Sequence, residues 1–385
     1  MSYFENNKNQ TTNTYAMPNQ ANEIDVQVAD SLFGPIAQND HELVLFCQDN
    51  YTGLKAIIAV HNSTLGPGLG GIRMWPYKTD QEALTDVLRL SRGMTFKASA
   101  AGLNLGGGKA VIIGDARKIK NEAFMRRMGR FVHNLNGKYI CAEDVGMTVQ
   151  DMGWVREETP FVTGIPQSMG GSGDPSPVTA YGVYMGMKAA MNRVSGSDSM
   201  TGKRVIVQGV GSVGRNLVEL LRKEDATVLI HDIHQASLEK VAANTGAQII
   251  GADDVYTTPA DVYAPCALGA TVNPDTIPQL DVAIIAGAAN NQLLDEARDG
   301  QALKDKGILY APDFVINAGG LINISQEVAG QAYSRDRAIE MTEVIYDTTL
   351  RIFDLSQSEG LTPHAAAQQV AEKRVADLGH NRLYR

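Results

Sequence analysis

A short apolar run, Arg204–Gln208 (RVIVQ), passes directly into Gly209-Val210-Gly211-Ser212-Val213-Gly214. An apolar helical pattern through Leu217, Val218, Leu220 and Leu221 follows at once. Few folds accommodate a strand, G-x-G-x-x-G and a helix in immediate succession. The first glycine permits a tight turn, the second lets the backbone approach a pyrophosphate, and the third lets helix and strand pack closely. The helix start then offers free N–H groups and a partial positive charge to phosphates. The next strand pattern, TVLIH, ends at Asp232, where a carboxylate can accept hydrogen bonds from both ribose hydroxyls and repel a 2′-phosphate. Gly209, Gly211, Ser212, Val213, Gly214 and Asp232 therefore form a candidate dinucleotide site with NAD as the expected cofactor. His231 and His234 flank Asp232 without a third ligand in sequence reach, so no metal is expected there.

Further short apolar runs follow, DVYAP (Asp261–Pro265), VAIIAG (Val282–Gly287) and ILYAP (Ile308–Pro312). Continuous runs of this kind belong to a parallel sheet covered on both faces. The first half of the chain alternates in the same way. Strands are expected at ELVLFCQ, Leu54–Val60, Ala110–Ile113 and Lys138–Ala142. Helices are expected after Thr79, whose capping box with Glu82 opens an apolar face, and over Asn121–Leu135. The fold class is therefore α/β in two domains. Between them, TGIPQSMGGSGDPSP (163–177) reads as a linker or hinge. Residues 1–30, rich in Asn, Gln and Thr, read as a disordered tail. The C-terminus reads as two helices, one over Ser334–Gln357 and one starting at Thr362-Pro363.

Composition narrows the function class. The chain has 385 residues, with 34 basic and 43 acidic side chains and a net charge of −9, which disfavours nucleic acid as a partner. No apolar stretch approaches the roughly 18 residues of a membrane span. Three scattered cysteines and the lack of a secretory signal fit a reducing cytoplasm.

Two lysines lie in constrained settings, Lys97 in GMTFK and Lys109 in LGGGK. A P-loop is excluded, because Leu103 and Ala110 stand where it needs glycine and Ser or Thr. Glycines can instead bring backbone close to a small substrate while a lysine is held among apolar neighbours. Burial of that kind lowers its pKa toward the range useful for proton transfer. Glu143 and Asp144 follow a strand's C-terminal end, where α/β folds place ligand-contacting groups. Taken singly, each group is more readily a surface lysine or a capping aspartate. Taken together, a lysine and a carboxylate make an acid–base pair.

The stretches GPGLGGIRMW (66–75), GMTFK, AAGLNLGGGKAVI, AEDVG, DPSPVTAYGVY (174–184), YAPCALGATVN (263–273), AGAANNQL (286–293) and APDFVINAGGLIN (311–323) occur in this order over residues 40–380. In them the chain resembles the amino-acid dehydrogenases of the Glu/Leu/Phe/Val family, nearest its leucine-acting members. The resemblance implies a substrate domain over 31–165 completed by C-terminal helices 346–385, a Rossmann-type NAD domain over 166–345, and a deep cleft between them. It implies Lys109 as general base on the attacking water and Asp144 as the carboxylate exchanging protons with the substrate nitrogen. Lys97, helped by Asn290, would hold the substrate carboxylate, with Gly70, Met94, Thr163 and Asn291 around the reactive end and nicotinamide. The implied reaction is reversible oxidative deamination to a 2-oxo acid and ammonia.

Leu69, Ala142, Leu321 and Ile324 match the family's side-chain pocket. All are aliphatic or small, which suits leucine, isoleucine or valine and leaves a charged side chain unpaired. Leu321 and Ile324 stand where valine is common, which tilts preference toward shorter side chains. The alternatives are a phenylalanine-type enzyme of the same family and a catalytically silent NAD-binding regulator. A hydroxy-acid dehydrogenase would want a histidine in the cleft, which none of the seven provides. The resemblance further implies a homo-oligomer, octameric in the family. The 30-residue N-terminal extension and the short C-terminus after Leu378 depart from the family in segments that contribute subunit contacts.

Overall fold

The computed structural model describes residues 32–328 and 332–382. The tail expected over residues 1–30 lies outside them. Two sheets organise the chain. The first takes β1 (Leu43–Asp49), β2 (Leu54–Asn62), β3 (Gly68–Trp75), β4 (Gly106–Ile113) and β5 (Tyr139–Glu143) in the order β1-β2-β4-β3-β5. β1 and β2 are an antiparallel hairpin, β2 runs antiparallel to β4, and β3 runs parallel to both β4 and β5. Helices α1 (Phe33–Gln38), α2 (Asp80–Ala100), α3 (Ala116–Ile119), α4 (Glu122–His133) and α5 (Val149–Arg156) surround it, and α6 (Ser176–Ser195) leads to the second sheet.

That second sheet is wholly parallel. Its strands are β6 (Arg204–Gln208), β7 (Thr227–His231), β8 (Gln248–Ile249), β9 (Ala260–Pro265), β10 (Val282–Ile285) and β11 (Leu309–Tyr310), ordered β11-β10-β9-β6-β7-β8. The order reverses at β6, the strand that enters the glycine loop, so the topological switch point coincides with the motif. The connecting helices are α7 (Ser212–Lys223), α8 (Gln235–Thr245) and α9 (Glu296–Lys306). After β11 come α10 (Asp313–Ile316), α11 (Gly319–Ser325), α12 (Arg335–Glu359) and α13 (Pro363–Arg382). Among the described residues, no helix is long and apolar enough to cross a membrane.

Two strands of the first sheet differ from the sequence expectation, both because of glycine. β3 lies within the first sheet, yet four of its eight residues carry little or no bulk that would signal a strand (Gly68, Gly70, Gly71) or sit at its exposed end (Trp75). β4 begins at Gly106 and not at Ala110, so Gly106–Gly108 are strand interior. Glycine in a strand marks close approach of another group, and here that group is protein, not substrate. A Cβ on Gly107 would lie 2.2 Å from Thr95 Oγ1 and 2.3 Å from the Ser91 carbonyl oxygen, both on α2. One on Gly108 would meet the ring of the buried Tyr139, whose hydroxyl donates to the Gly70 carbonyl at 2.8 Å.

The C-terminal helices pack on different neighbours. α13 lies against α2 through Ala366, Ala367 and Ala371 around Phe96 and Ala100, and Ser99 Oγ donates to the Ala371 carbonyl at 2.7 Å. α12 puts Ile345 and Phe353 into the core that holds Val183 and Met187 of α6. A boundary between residues 345 and 346 falls inside α12, which runs unbroken because its whole length has an apolar seat.

Replacing Gly107 by alanine should cost about 2–3 kcal/mol, since α2 must retreat from the sheet. Gly93→Ala, within α2 and facing open space, should add about 0.5–1 kcal/mol by stiffening the unfolded chain and favouring helix. Urea denaturation of the two variants should move the midpoint in opposite directions.

Candidate active site

Strand alternation carries Lys109 onto the same face of β4 as Gly107, the face α2 covers. Met94 and Lys97, one helical turn apart on α2, look at the same space. Asp144 follows the last residue of β5, and the missing side chain of Gly71 makes room for it, since a Cβ there would lie 2.6 Å from that of Asp144. The result is a compact charged cluster. Lys109, only 5% exposed, places its Nζ 2.9 Å from Asp144 Oδ2. Arg73 on β3 donates to the same oxygen through Nε at 2.9 Å and to Asp86 through Nη1 at 3.1 Å. Burial alone would push the Asp144 carboxyl up. Lys109 and then Arg73 outweigh it and hold the group down at about 2, so Asp144 starts as an anion.

Across the cleft, Asn290 in the loop after β10 accepts a hydrogen bond from Lys97 Nζ at 3.1 Å and another from Asn317 Nδ2 at 2.8 Å. Both bonds fall on its carbonyl oxygen, which leaves its NH₂ as the group available to a carboxylate. Burial lowers the Lys97 pKa to about 8. Asp313 opposes that shift, Lys109 adds to it, and Asp144 opposes it. Of the two lysines, Lys109 is the one paired to a carboxylate, and Lys97 is the one bonded to an amide.

These groups line a cavity of about 280 Å³ between the two sheets. Its reactive end holds Gly70, Met94, Lys97, Lys109, Asp144 and Asn290. Its other end holds an aliphatic patch of Ala142, Leu321 and Ile324 with Gly320, and Glu143 and Thr179 also line the cavity. Leu69 and Thr163 stand back from the wall. Leu69 is fully buried in the core that also holds Leu321, and the Thr163 hydroxyl donates to the Cys141 carbonyl. Asn291, with φ of +53°, lines the neighbouring open groove together with Leu268. Behind Lys97 a lobe of about 140 Å³ runs toward Phe314 and His364, where α10 and α13 meet α2.

Val213 connects this cavity to the glycine loop, because it lines the cavity and also lies in the first turn of α7. Gly209 has φ of +99°, and a Cβ on Gly214 would lie 1.9 Å from the Gly209 carbonyl oxygen, so both must be glycine. Gly211 caps α7 without a side-chain partner, and a Cβ there would meet nothing within 4 Å. Ser212, the first residue of α7, is exposed. The helix start is therefore an uncapped cradle open to a phosphate. Asp232 accepts the Val210 and His234 backbone N–H groups, each at 2.8 Å, and so braces the loop while standing at its edge. These features fit a dinucleotide.

The sequence profile described as the Glu/Leu/Phe/Val dehydrogenase dimerisation domain matches residues 41–161, and the glutamate/leucine/phenylalanine/valine dehydrogenase profile matches 170–234 and 227–382. The chain belongs to the Glu/Leu/Phe/Val dehydrogenase family. It is an amino-acid dehydrogenase, and its cofactor is a nicotinamide dinucleotide. It is 52% identical over 351 residues to a leucine dehydrogenase of Bacillus subtilis, covering 91% of this chain and 96% of that one. A phenylalanine dehydrogenase of Caldalkalibacillus thermarum is 46% identical over 342 residues, 88% and 92% of the two chains. Among solved structures, the L-tryptophan dehydrogenase of Nostoc punctiforme superposes with a TM-score of 0.80 at 42% identity, over 91% of this chain and all of that one.

Three groups of this dehydrogenase escaped the sequence reading although they lie inside motifs it singled out. Arg73 ends GPGLGGIR, where β3 itself was not recognised. Asn317, 5% exposed, donates to Asn290 and to the Ala288 carbonyl. Asp313 accepts the Gln292 N–H and shapes the Asn290 loop. A buried polar residue within an otherwise apolar run was the available signal for the last two.

Arg73→Gln should lower stability by about 1–3 kcal/mol near neutral pH, because Asp144 keeps only one counter-cation. The Asp144 pKa is lower in the folded state, so its contribution is present above about pH 4 and fades as pH falls toward 2. Urea titrations at falling pH should show the gap between wild type and Arg73→Gln closing through that window.

Proposed function

We propose that this enzyme catalyses reversible NAD-dependent oxidative deamination of branched-chain L-amino acids, leucine foremost, with isoleucine and valine. The observation that carries the reading is a cavity that gathers two lysines, an ionised aspartate and a free amide and adds an aliphatic patch of Ala142, Leu321 and Ile324. An α-amino and α-carboxylate group can be satisfied by the first set, while a second carboxylate in the side chain would meet that patch and the Glu143 carboxylate. The more than 50% identity with leucine dehydrogenases supports the same choice over an aromatic substrate. Asp232 at the edge of the glycine loop supports NAD over NADP through charge repulsion with a 2′-phosphate.

Lys97 and Asn290 would bind the substrate carboxylate and orient its Cα. The bound nicotinamide supplies the hydride acceptor. Asp144, ionised and held by Arg73, would take a proton from the substrate ammonium. Lys109 would take the proton of the water that adds to the resulting imine carbon, and its charge then faces the developing carbinolamine. Lys109 would release its proton to solvent and then take the carbinolamine hydroxyl proton as the C=O forms, while Asp144 returns its proton to the nitrogen, the C–N bond breaks and ammonia leaves. Asn290 and Asn317 belong to the nucleotide-binding half and Lys97 to the other, so the reaction centre forms only when both sides meet. We further propose a homo-oligomer built through the first sheet's half, which matches the dimerisation-domain profile.

NADH formation by purified protein across a panel of L-amino acids, repeated with NADP, tests the reading. Turnover should be highest with leucine, weaker with phenylalanine and absent with glutamate, and NAD should exceed NADP. Activity with no amino acid would overturn it.

Lys97 generates a pH signature. Isocaproate, a branched carboxylate without the amino group, should compete with leucine. Its inhibition constant should rise about tenfold per pH unit above about 8, as the free ammonium loses its proton. Lys97→Ser should weaken isocaproate at every pH and flatten that rise, with a larger effect on the leucine KM than on kcat.

A further inference from the structure

The end of the cavity that holds the aliphatic patch has two walls that belong to neither sheet. One is α11, with Leu321 and Ile324. The other is the connection between α5 and α6 (157–175), which contributes Gly164, Gly173 and Pro175. That connection has one helical turn at Gln167–Met169, is joined to β5 through Cys141 and Thr163, and sets Pro175 beside Gly320, but among the described residues nothing within 164–173 itself ties that stretch to α11. A carboxylate does so from outside. Glu327, one turn past Ile324, accepts three hydrogen bonds on Oε1. They come from the Gly164 N–H at 3.0 Å, the Ser172 N–H at 2.9 Å and the Ser172 hydroxyl at 2.6 Å. Ser172 is only 2% exposed, so its donors have no water to fall back on. Hydrogen bonds to an ionised acceptor are about twice as strong as neutral ones, and three converge where the two walls meet.

We infer that Glu327 is a positioning residue that sets the width of the side-chain pocket by tying the α5–α6 connection to the end of α11. It touches no substrate atom, and its effect is on which side chain fits. The inference rests on the proposed use of this cavity for the amino-acid side chain. A pocket that loses its fixed width loses discrimination, because one methylene in a well-fitted apolar pocket is worth about 10–200-fold in kcat/KM.

The test compares wild type, Glu327→Ala, Glu327→Gln and Ser172→Ala. For each, kcat and KM are measured with L-alanine, L-valine, L-leucine and L-phenylalanine, together with the NAD KM and the thermal midpoint. In Glu327→Ala the leucine-to-alanine ratio of kcat/KM should fall at least about tenfold, through the leucine KM, with the NAD KM within about twofold of wild type. Glu327→Gln keeps a neutral acceptor in the same place and should recover most of the ratio. Ser172→Ala should shift it in the Ala direction by a smaller factor. If Glu327→Ala does not fold, the Gln and Ser172→Ala variants carry the same comparison. Unchanged ratios, or a fall in kcat shared equally by all substrates, would overturn the inference while leaving the enzyme reading intact. A wild type that turns over no amino acid would overturn both.

Discussion

The site depends on how closely α2 can approach β4. With no side chain at Gly107, the helix backbone at Ser91 and Thr95 settles where a Cβ would otherwise sit. That contact sets the height of Met94 and Lys97 above the strand that carries Lys109. An added methyl would raise the helix and open the space between the two lysines, and catalytic geometry tolerates little such error. The glycine run is thus a spacing device for chemistry, although it touches no ligand itself.

Electrostatics complete what spacing begins. Two lysines in one small cavity would repel, and desolvation would penalise both. One aspartate resolves the conflict for Lys109, and Arg73 keeps that aspartate anionic. Among the described residues Lys97 has no carboxylate within bonding distance and bonds to the amide oxygen of Asn290, and burial loosens its proton. The asymmetry separates the roles. The paired lysine stays beside its proton partner, and the unpaired one offers its charge to whichever carboxylate arrives.

The sequence disclosed what depends on neighbours along the chain. The β6–glycine loop–α7 unit, the Thr79 cap and the parallel strands of the second sheet other than β8 could be read from residue types at fixed spacing, whereas the roles of Lys109 and Asp144 came from the family resemblance. What it hid depends on long-range contact. β3 was invisible because its glycines serve Tyr139, Gly108 and Asp144, partners that become neighbours only after the sheet forms. Leu69 matched a pocket motif and shares a face of β3 with Gly71 and Arg73, yet it is packed into the core with Leu321 and stands behind the cavity wall. Arg73, Asn317 and Glu327 act by reaching other segments, and no local pattern records a partner 71 or 163 residues away.

The seat of α13 on α2 has a consequence for the order of assembly. Ser99 and Ala371, joined by a hydrogen bond, are 272 residues apart in sequence, and Arg374 closes a similar span to the carbonyls of Gly102 and Leu103. During synthesis both sheets emerge, and can form, before the helix that covers Phe96 exists. Until then the back of α2 presents an apolar stripe to the surroundings, exposed for as long as a ribosome needs to finish the chain. Contacts of such sequence separation form slowly, and surface left bare in the interval is where a nascent chain meets chaperones or its own copies. A chain stopped before α13 would hold every residue of the Lys109–Asp144–Arg73 cluster and still lack the helix that covers α2 behind Lys97.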